Sequence, residues 1–166
     1  MRFVGVRASR VKILRLKAGI FSMPQQDANI NEMPIRILIA DDHEIFRRGL
    51  RSLLESHPEW EVCGEAIDGQ EAVDRAKELN PDIVVLDITM PRLNGLEAAQ
   101  LIRSEAPHSK MVILSQHEPS LMRQAALSAG ASAYVTKSEV SRELMMAIET
   151  LLSPGAVGSE GTAGNL

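Results

Sequence analysis

Chemically capable side chains fall one after another at the ends of short apolar runs. Asp41-Asp42 follow Ile35-Arg36-Ile37-Leu38-Ile39-Ala40, Asp87 follows Ile83-Val84-Val85-Leu86, Ser115 follows Met111-Val112-Ile113-Leu114, and Lys137 follows the run from Ala131 to Thr136. Carboxylates brought together repel, and they stay ionised at neutral pH only beside a compensating cation. Donors that are all oxygen favour a hard ion, Mg²⁺ above all, held by a few carboxylates and waters. A lysine adds a compact positive charge and a serine adds a hydroxyl donor. A group that needs a metal, an ammonium and a hydroxyl around it is a phosphoryl group. Asp87 is then the candidate nucleophile, because a carboxylate can carry an aspartyl phosphate. Asp42 is the candidate direct metal ligand, with Asp41 adjusting the site through hydrogen bonds or a bridging water. Singly, each residue has a plainer reading: Asp41-Asp42 as a helix N-cap pair, Ser115 as a loop cap, Lys137 as a solvated charge. Their recurrence at successive strand ends favours the chemical one.

The elements that must position these residues are legible from periodicity. The run ending on Asp87 is too short for a typical helix and does not alternate, which predicts a strand covered on both faces. Further strands are expected at 35–40, 61–66, 110–114 and 131–136. Helical spacing predicts helices at 43–56 (with Ile45, Phe46, Leu50, Leu53 and Leu54 apolar), at 70–79, at 95–105 (Leu96, Ala99, Leu101 and Ile102 inward), at 119–129 and from Ser138 or Ser141 to Leu152. Pro58 and Asn80-Pro81 stop the first two, Gly130 suits a left-handed cap after the fourth, and Asn94-Gly95 mark a loop after Pro91. Strands alternating with helices predict an α/β parallel sheet with helices on both faces. The carboxyl ends of such strands share one edge, where ligands bind.

Composition narrows the function classes. With 166 residues the chain holds one well-buried domain plus tails, and with aromatics at 3% its core must be aliphatic. The single Cys63 excludes an internal disulfide or a cysteine-based metal cage; it reads as a small buried strand residue in a reducing, cytoplasmic setting. The net charge of −4 is uneven: residues 1–33 carry six basic against two acidic side chains (+4), and the remainder twelve against twenty (−8). An acidic body gives no electrostatic case for nucleic acid. Residues 1–33 read as a basic, then polar leader that is disordered or a product of start-site choice, since Met33 directly precedes the first strand. Basic residues interrupt every apolar run there, so neither a secretory signal nor a membrane span is expected. Residues 34–153 are the expected domain, and 154–166 a Gly-rich disordered tail.

Together, Asp41-Asp42, Leu86-Asp87-Ile88-Thr89-Met90-Pro91 with Gly95 beyond, Ser115 and Tyr134-Val135-Thr136-Lys137 resemble the receiver domain of two-component response regulators. The likeness covers roughly residues 35–152, and the stretch from Asp42 to Leu50 is similar to receivers of the NarL/FixJ type. The resemblance implies a flavodoxin-like, CheY-like five-stranded sheet in the order 2-1-3-4-5. It implies a phosphorelay protein, not a turnover enzyme, whose Asp87 takes a phosphoryl group from a sensor histidine kinase or phosphotransfer protein. It also implies Mg²⁺ on Asp42, Asp87 and the backbone carbonyl of Thr89, with Lys137 on a phosphoryl oxygen. Ser115 and Tyr134 would then switch a face formed by the fourth helix, fifth strand and fifth helix, a possible homodimer surface.

Two positions depart from that pattern. Ser138 stands where many receivers have proline, so a trans Lys137–Ser138 bond is expected. The bulky Gln116 follows Ser115, where it is expected to crowd Tyr134. Only fourteen residues follow Leu152, too few for a helix-turn-helix domain, so direct DNA binding by this chain is not expected; it reads as a stand-alone receiver or a fragment of a longer regulator. Three rival readings remain: a haloacid-dehalogenase-like phosphatase using Asp87, a binding module that no longer phosphorylates, and nucleic-acid or membrane binding through residues 1–20.

Overall fold

The computed structural model describes residues 33–116 and 120–153. The expectations for residues 1–32 and 154–166, and for a helix start at Pro119, fall outside them.

Five strands, β1 (Ile35–Ala40), β2 (Trp60–Ala66), β3 (Ile83–Asp87), β4 (Lys110–Ser115) and β5 (Ala133–Thr136), form one sheet in the order β2-β1-β3-β4-β5. Every adjacent pair is parallel. The helices are α1 (Glu44–Leu54), α2 (Gly69–Leu79), α3 (Gly95–Glu105), α4 (Ser120–Ala129) and α5 (Val140–Leu152). The flavodoxin-like order implied by the resemblance is the one observed.

Successive side chains of a strand point to opposite faces, so a strand buried on both sides must be apolar at every position. All five residues of β3 are buried. In β1, Ile37 and Ile39 pack with Leu50 and Leu54 of α1 and Leu144 and Ile148 of α5. Leu38 and Ala40 face the other way, toward Ala72 and Ala76 of α2, Ala98 and Ile102 of α3, and Ala126 of α4. Each buried Leu or Ile contributes about 1.5–3 kcal/mol of transfer free energy, so these two aliphatic layers carry the fold without aromatic bulk.

Several sequence expectations are corrected. Ile45 is 87% exposed and Leu101 is 42% exposed. Leu50 and Leu54 of the α1 stripe are buried as expected, as are Ala99 and Ile102 on α3, where Ala98 is buried as well. The second strand starts at Trp60, one residue early, and the fifth at Ala133, two residues late. Residue 131 still closes the preceding helix: Ala131 N–H donates to the Ala126 carbonyl at 3.0 Å, around Gly130 with φ +105°. Cys63 is half-buried at a bulge, where Ile37 pairs with Val62 but Leu38 pairs with Gly64. Its Sγ lies 3.4 Å from the Ile37 carbonyl oxygen. A 3₁₀ turn over Lys137–Glu139 leads into α5, and the Lys137–Ser138 peptide is trans.

Candidate functional site

The carboxyl ends of β1, β3, β4 and β5 deliver the residues singled out from the sequence to one edge of the sheet. Asp41 directly follows β1, Asp87 and Ser115 are the last residues of β3 and β4, and Lys137 directly follows β5. Asp41 is fully buried, Asp87 is 1% exposed and Ser115 3%. Asp42, the next residue along, keeps its side chain 33% exposed. Ser115 lies in register with Thr136.

Lys137 joins the two buried carboxylates. Its Nζ donates to Asp41 Oδ2 at 2.7 Å and lies 3.1 Å from Asp87 Oδ2. The second contact is an ion pair, and no hydrogen bond of good geometry reaches either Asp87 oxygen. The ammonium also sits 4.5 Å from the centre of the Phe46 ring, a cation–π contact from α1. Lys137 is therefore held by a buried network, not solvated.

Burial pushes the Asp87 carboxyl above its ordinary range; the Lys137 ammonium opposes this, the Asp41 charge adds to it, and the Thr89 backbone amide opposes it. A raised folded-state value means that the fold binds this proton more readily than the unfolded chain does. At neutral pH the ionised carboxylate therefore costs stability, and that cost disappears as pH falls through the folded value toward the unfolded one. Asp87→Asn is expected to raise Tm at neutral pH in the presence of chelator, with the gap closing in acid. Thermal melts across pH check this, and a Tm that drops on substitution contradicts it.

Around this centre the loops are tied down. Asp41 Oδ1 accepts the His43 backbone N–H at 2.8 Å, and Arg47 Nη1 donates to the Asp41 carbonyl at 2.8 Å. Arg47 is itself held by Glu65 of β2, Nε to Oε2 at 2.9 Å, and Arg51 Nε reaches Glu65 Oε1 at 2.6 Å. The loop after β3 is fixed from the other side. Asp68 caps α2 by accepting the Glu71 N–H at 3.0 Å, and its second oxygen pairs with Arg92, which stands at φ +64°. Asn94 and Glu97 form a reciprocal capping box that starts α3. Asn94-Gly95, legible from the sequence only as a loop mark, is thus the cap that returns the chain beneath Asp87.

Three positions need a correction or an addition. The helix N-cap is His43, so Asp41-Asp42 do not cap α1. Gln116 is exposed and lines the cavity between α1 and the start of α5, whereas Tyr134 is buried in the layer beneath α2–α4, with the Arg123 guanidinium 5.7 Å from its ring centre. The expected crowding is replaced by this placement. Sequence reasoning missed His43, Phe46, Arg47 and Glu65. Only His43 carried a local signal, its place next to the acidic pair.

Asp41, Asp42, His43 and Asp87 each offer a ligand atom, all within 4.8 Å of one another, so the cluster could bind a metal ion. An oxygen-rich set containing a buried carboxylate without hydrogen bonds fits a hard divalent cation.

Comparison with known proteins places this arrangement. Residues 37–149 match the family model described as the response regulator receiver domain. The chain is 43% identical over 123 residues to the transcriptional regulatory protein LnrK of Bacillus subtilis, covering 74% of this chain and 56% of that protein. It is 33% identical over 132 residues to the nitrate/nitrite response regulator protein NarL of Escherichia coli, covering 78% of this chain and 60% of NarL. Among solved structures, a LuxR-family two-component response regulator from Aurantimonas superposes with TM-score 0.68 at 42% identity, over 71% of this chain and 84% of that one. The response regulator domain of Thermotoga maritima CheB gives TM-score 0.67 at 34% identity, over 73% of this chain and 99% of that one.

Fold and site thus define a CheY-like signalling domain of two-component systems. The chain belongs to the response regulator receiver family, with relatives among regulators of the NarL/LuxR type. It spans little more than half the length of the curated relatives named here. Family membership also answers the phosphatase alternative, because response regulator receivers are signalling domains rather than classical enzymes. Among the described residues, no helix is long and apolar enough to cross a membrane.

Proposed function

We propose that Asp87 accepts a phosphoryl group from the phosphohistidine of a sensor histidine kinase or phosphotransfer protein, and that this switches a protein-interaction face. The observation that carries the reading is the Asp87 carboxylate itself. It is buried and without hydrogen bonds, yet 3.1 Å from the Lys137 ammonium at the ligand-binding edge of the sheet. Asp42, Asp87 and the backbone carbonyl of Thr89 would hold Mg²⁺, with Asp41 adjusting the site, and the ion would neutralise charge on the phosphoryl oxygens.

An Asp87 oxygen forms the new bond to phosphorus in line with the bond that breaks, and the electrons of that P–N bond return to the partner's imidazole. Lys137 pairs with a phosphoryl oxygen, which draws it from its present balance between Asp41 and Asp87. Ser115 donates its hydroxyl to the phosphoryl group, and Tyr134 follows by changing rotamer, leaving the Arg123 contact. The cavity of about 540 Å³ beside the site, lined by Ile45, Phe46, Leu50, Leu53 and Val140, offers an apolar footing for the partner's phosphohistidine-bearing element. On the opposite flank, exposed Met122 and Leu127 of α4 and Met146 of α5 suit a homodimer through the α4-β5-α5 face.

Incubation with acetyl phosphate tests the reading. A single phosphoryl adduct, seen by intact-protein mass spectrometry with Mg²⁺ and absent with chelator, is the expected result. A folded protein that takes no adduct from acetyl phosphate or from a cognate kinase would instead be a phosphorylation-independent binding module.

A further inference from the structure

We propose that Arg47 is a positioning residue for the acidic pair: it fixes the Asp41–Asp42 peptide so that the Asp42 carboxylate stands ready for a divalent cation. This rests on the reading of Asp42 as a metal ligand and adds to it the residue that holds that ligand in place.

Arg47 lies on α1, one turn past His43, and its side chain is only 11% exposed although it carries a full charge. Such burial is tolerated when the charge is paired and its donors are used. Nε donates to Glu65 Oε2 at 2.9 Å, and Nη1 donates to the Asp41 carbonyl at 2.8 Å. A guanidinium fork often satisfies both oxygens of one carboxylate. Here the second oxygen of Glu65 goes to Arg51 Nε at 2.6 Å, and the second arm of Arg47 goes to the backbone. Arg51 alone would staple α1 to β2, so the arm on Asp41 has a further role.

That role follows from the polar atoms of Asp41. Its backbone N–H donates to the Ala66 carbonyl at 3.1 Å, Oδ1 accepts the His43 N–H at 2.8 Å, and Oδ2 accepts from Lys137 at 2.7 Å. The carbonyl oxygen is the one that remains, and Arg47 takes it. Because the peptide unit is planar, fixing that oxygen also fixes the N–H and Cα of Asp42. Asp42 needs this support. Its side chain is 33% exposed and meets the 59% exposed His43 imidazole at the mouth of the site, so its rigid footing comes through the backbone.

Field and position predict opposite signs. A nearby positive charge repels a divalent cation, so deleting the guanidinium for its charge alone should tighten Mg²⁺ binding. Losing the support should weaken it. Glu65, ion-paired to Arg47 at 2.9 Å, offsets much of that field and leaves position as the larger effect. Lysine separates the two, because it keeps the charge on a stem without the planar fork.

Calorimetric Mg²⁺ titration of the full chain, as wild type, Arg47→Lys and Arg47→Gln, tests this, with a thermal melt in chelator to confirm each fold. Both variants are expected to weaken Mg²⁺ binding by about tenfold, the scale for losing an outer partner of a metal ligand. Phosphoryl uptake from acetyl phosphate should recover toward the wild-type rate once Mg²⁺ saturates, because Asp87 and Lys137 are untouched. In chelator, the His43 amide should exchange faster in Arg47→Lys while the β1 amides do not, a loosening confined to the peptide that Arg47 holds. Wild-type Mg²⁺ affinity in Arg47→Lys, tighter binding in Arg47→Gln, or unchanged His43 exchange would overturn the proposal. Should Arg47→Gln fail to fold, the lysine variant carries the comparison. A wild type that binds no Mg²⁺ would count against the metal reading of Asp42 instead, and the His43 exchange would still decide whether Arg47 holds the peptide.

Discussion

Replacing Lys137 with methionine is expected to slow phosphoryl uptake from acetyl phosphate on the order of 100-fold, the usual scale for losing one donor aimed at developing negative charge. The ammonium stands between Asp41 and Asp87, 2.7 Å and 3.1 Å from one oxygen of each. It is thus already located where a phosphoryl oxygen on Asp87 would need a counter-charge. The same change should be felt in the resting fold. Without the lysine, two buried carboxylates face each other with no organic cation between them. Removing one partner of a buried ion pair typically costs about 3–5 kcal/mol. Methionine retains the apolar stem against Phe46, so the loss reports charge rather than packing. Chemical denaturation in chelator measures it. Added Mg²⁺ should return part of the stability, because a second cation can serve the same carboxylates. A solvated surface lysine, the plainer reading of Lys137 from the sequence, would give neither effect.

The second large effect is expected at Gly95. A Cβ built there would lie 2.0 Å from the Asp87 carbonyl oxygen, 2.8 Å from its carbonyl carbon and 2.9 Å from Ile88 Cα. All three are backbone atoms of the strand end that carries the nucleophile, so no side-chain rotation relieves the clash. Gly95→Ala must push α3 and the end of β3 apart, at a cost of about 3 kcal/mol, the upper end of ordinary overpacking. For a domain of this size that lowers Tm by roughly 10 °C. Because the displaced atoms belong to Asp87 and Ile88, phosphoryl uptake should fall as well. Gly49 provides the opposite sign in the same protein. It lies inside α1 with nothing within 4 Å of a built Cβ, so Gly49→Ala should stabilise by about 0.5–1 kcal/mol through helix propensity. Equal Tm values for the two alanine variants would contradict this account of why glycine follows Asn94.

The contrast between these residues explains how far the sequence could be read. The strands were legible because burial on both faces demands unbroken apolar runs, as in Ile83–Leu86. Parallel pairing then forces Asp41, Asp87, Ser115 and Lys137 to one edge, whatever the loops do. Ile45 shares the α1 stripe yet stays exposed, and Leu101 faces outward against expectation, because helical spacing reports which residues share a stripe, not how wide the covering neighbour is. On α1 the cover ends at Leu50 and Leu54, leaving Ile45 on the rim of the cavity. Cys63 escaped notice as a bulge because a register shift belongs to the strand pair, not to β2 alone. Arg47 and Glu65 lie eighteen residues apart and meet only through the β1-β2 pairing, so no local pattern announces their grip on the Asp41 carbonyl.

The effects of Lys137 and Gly95 on phosphoryl uptake presuppose one covalent event, and its address can be read directly. The protein is treated with acetyl phosphate and Mg²⁺, any acyl phosphate is reduced with borohydride, and the peptides are sequenced by mass spectrometry. Reduction converts a phosphorylated aspartate to homoserine and so marks the acceptor. The account predicts homoserine at position 87 alone, and none when Asp87 is replaced by asparagine. Homoserine at position 41 or 42, or an unmarked position 87 in a protein that has taken up phosphate, would contradict it.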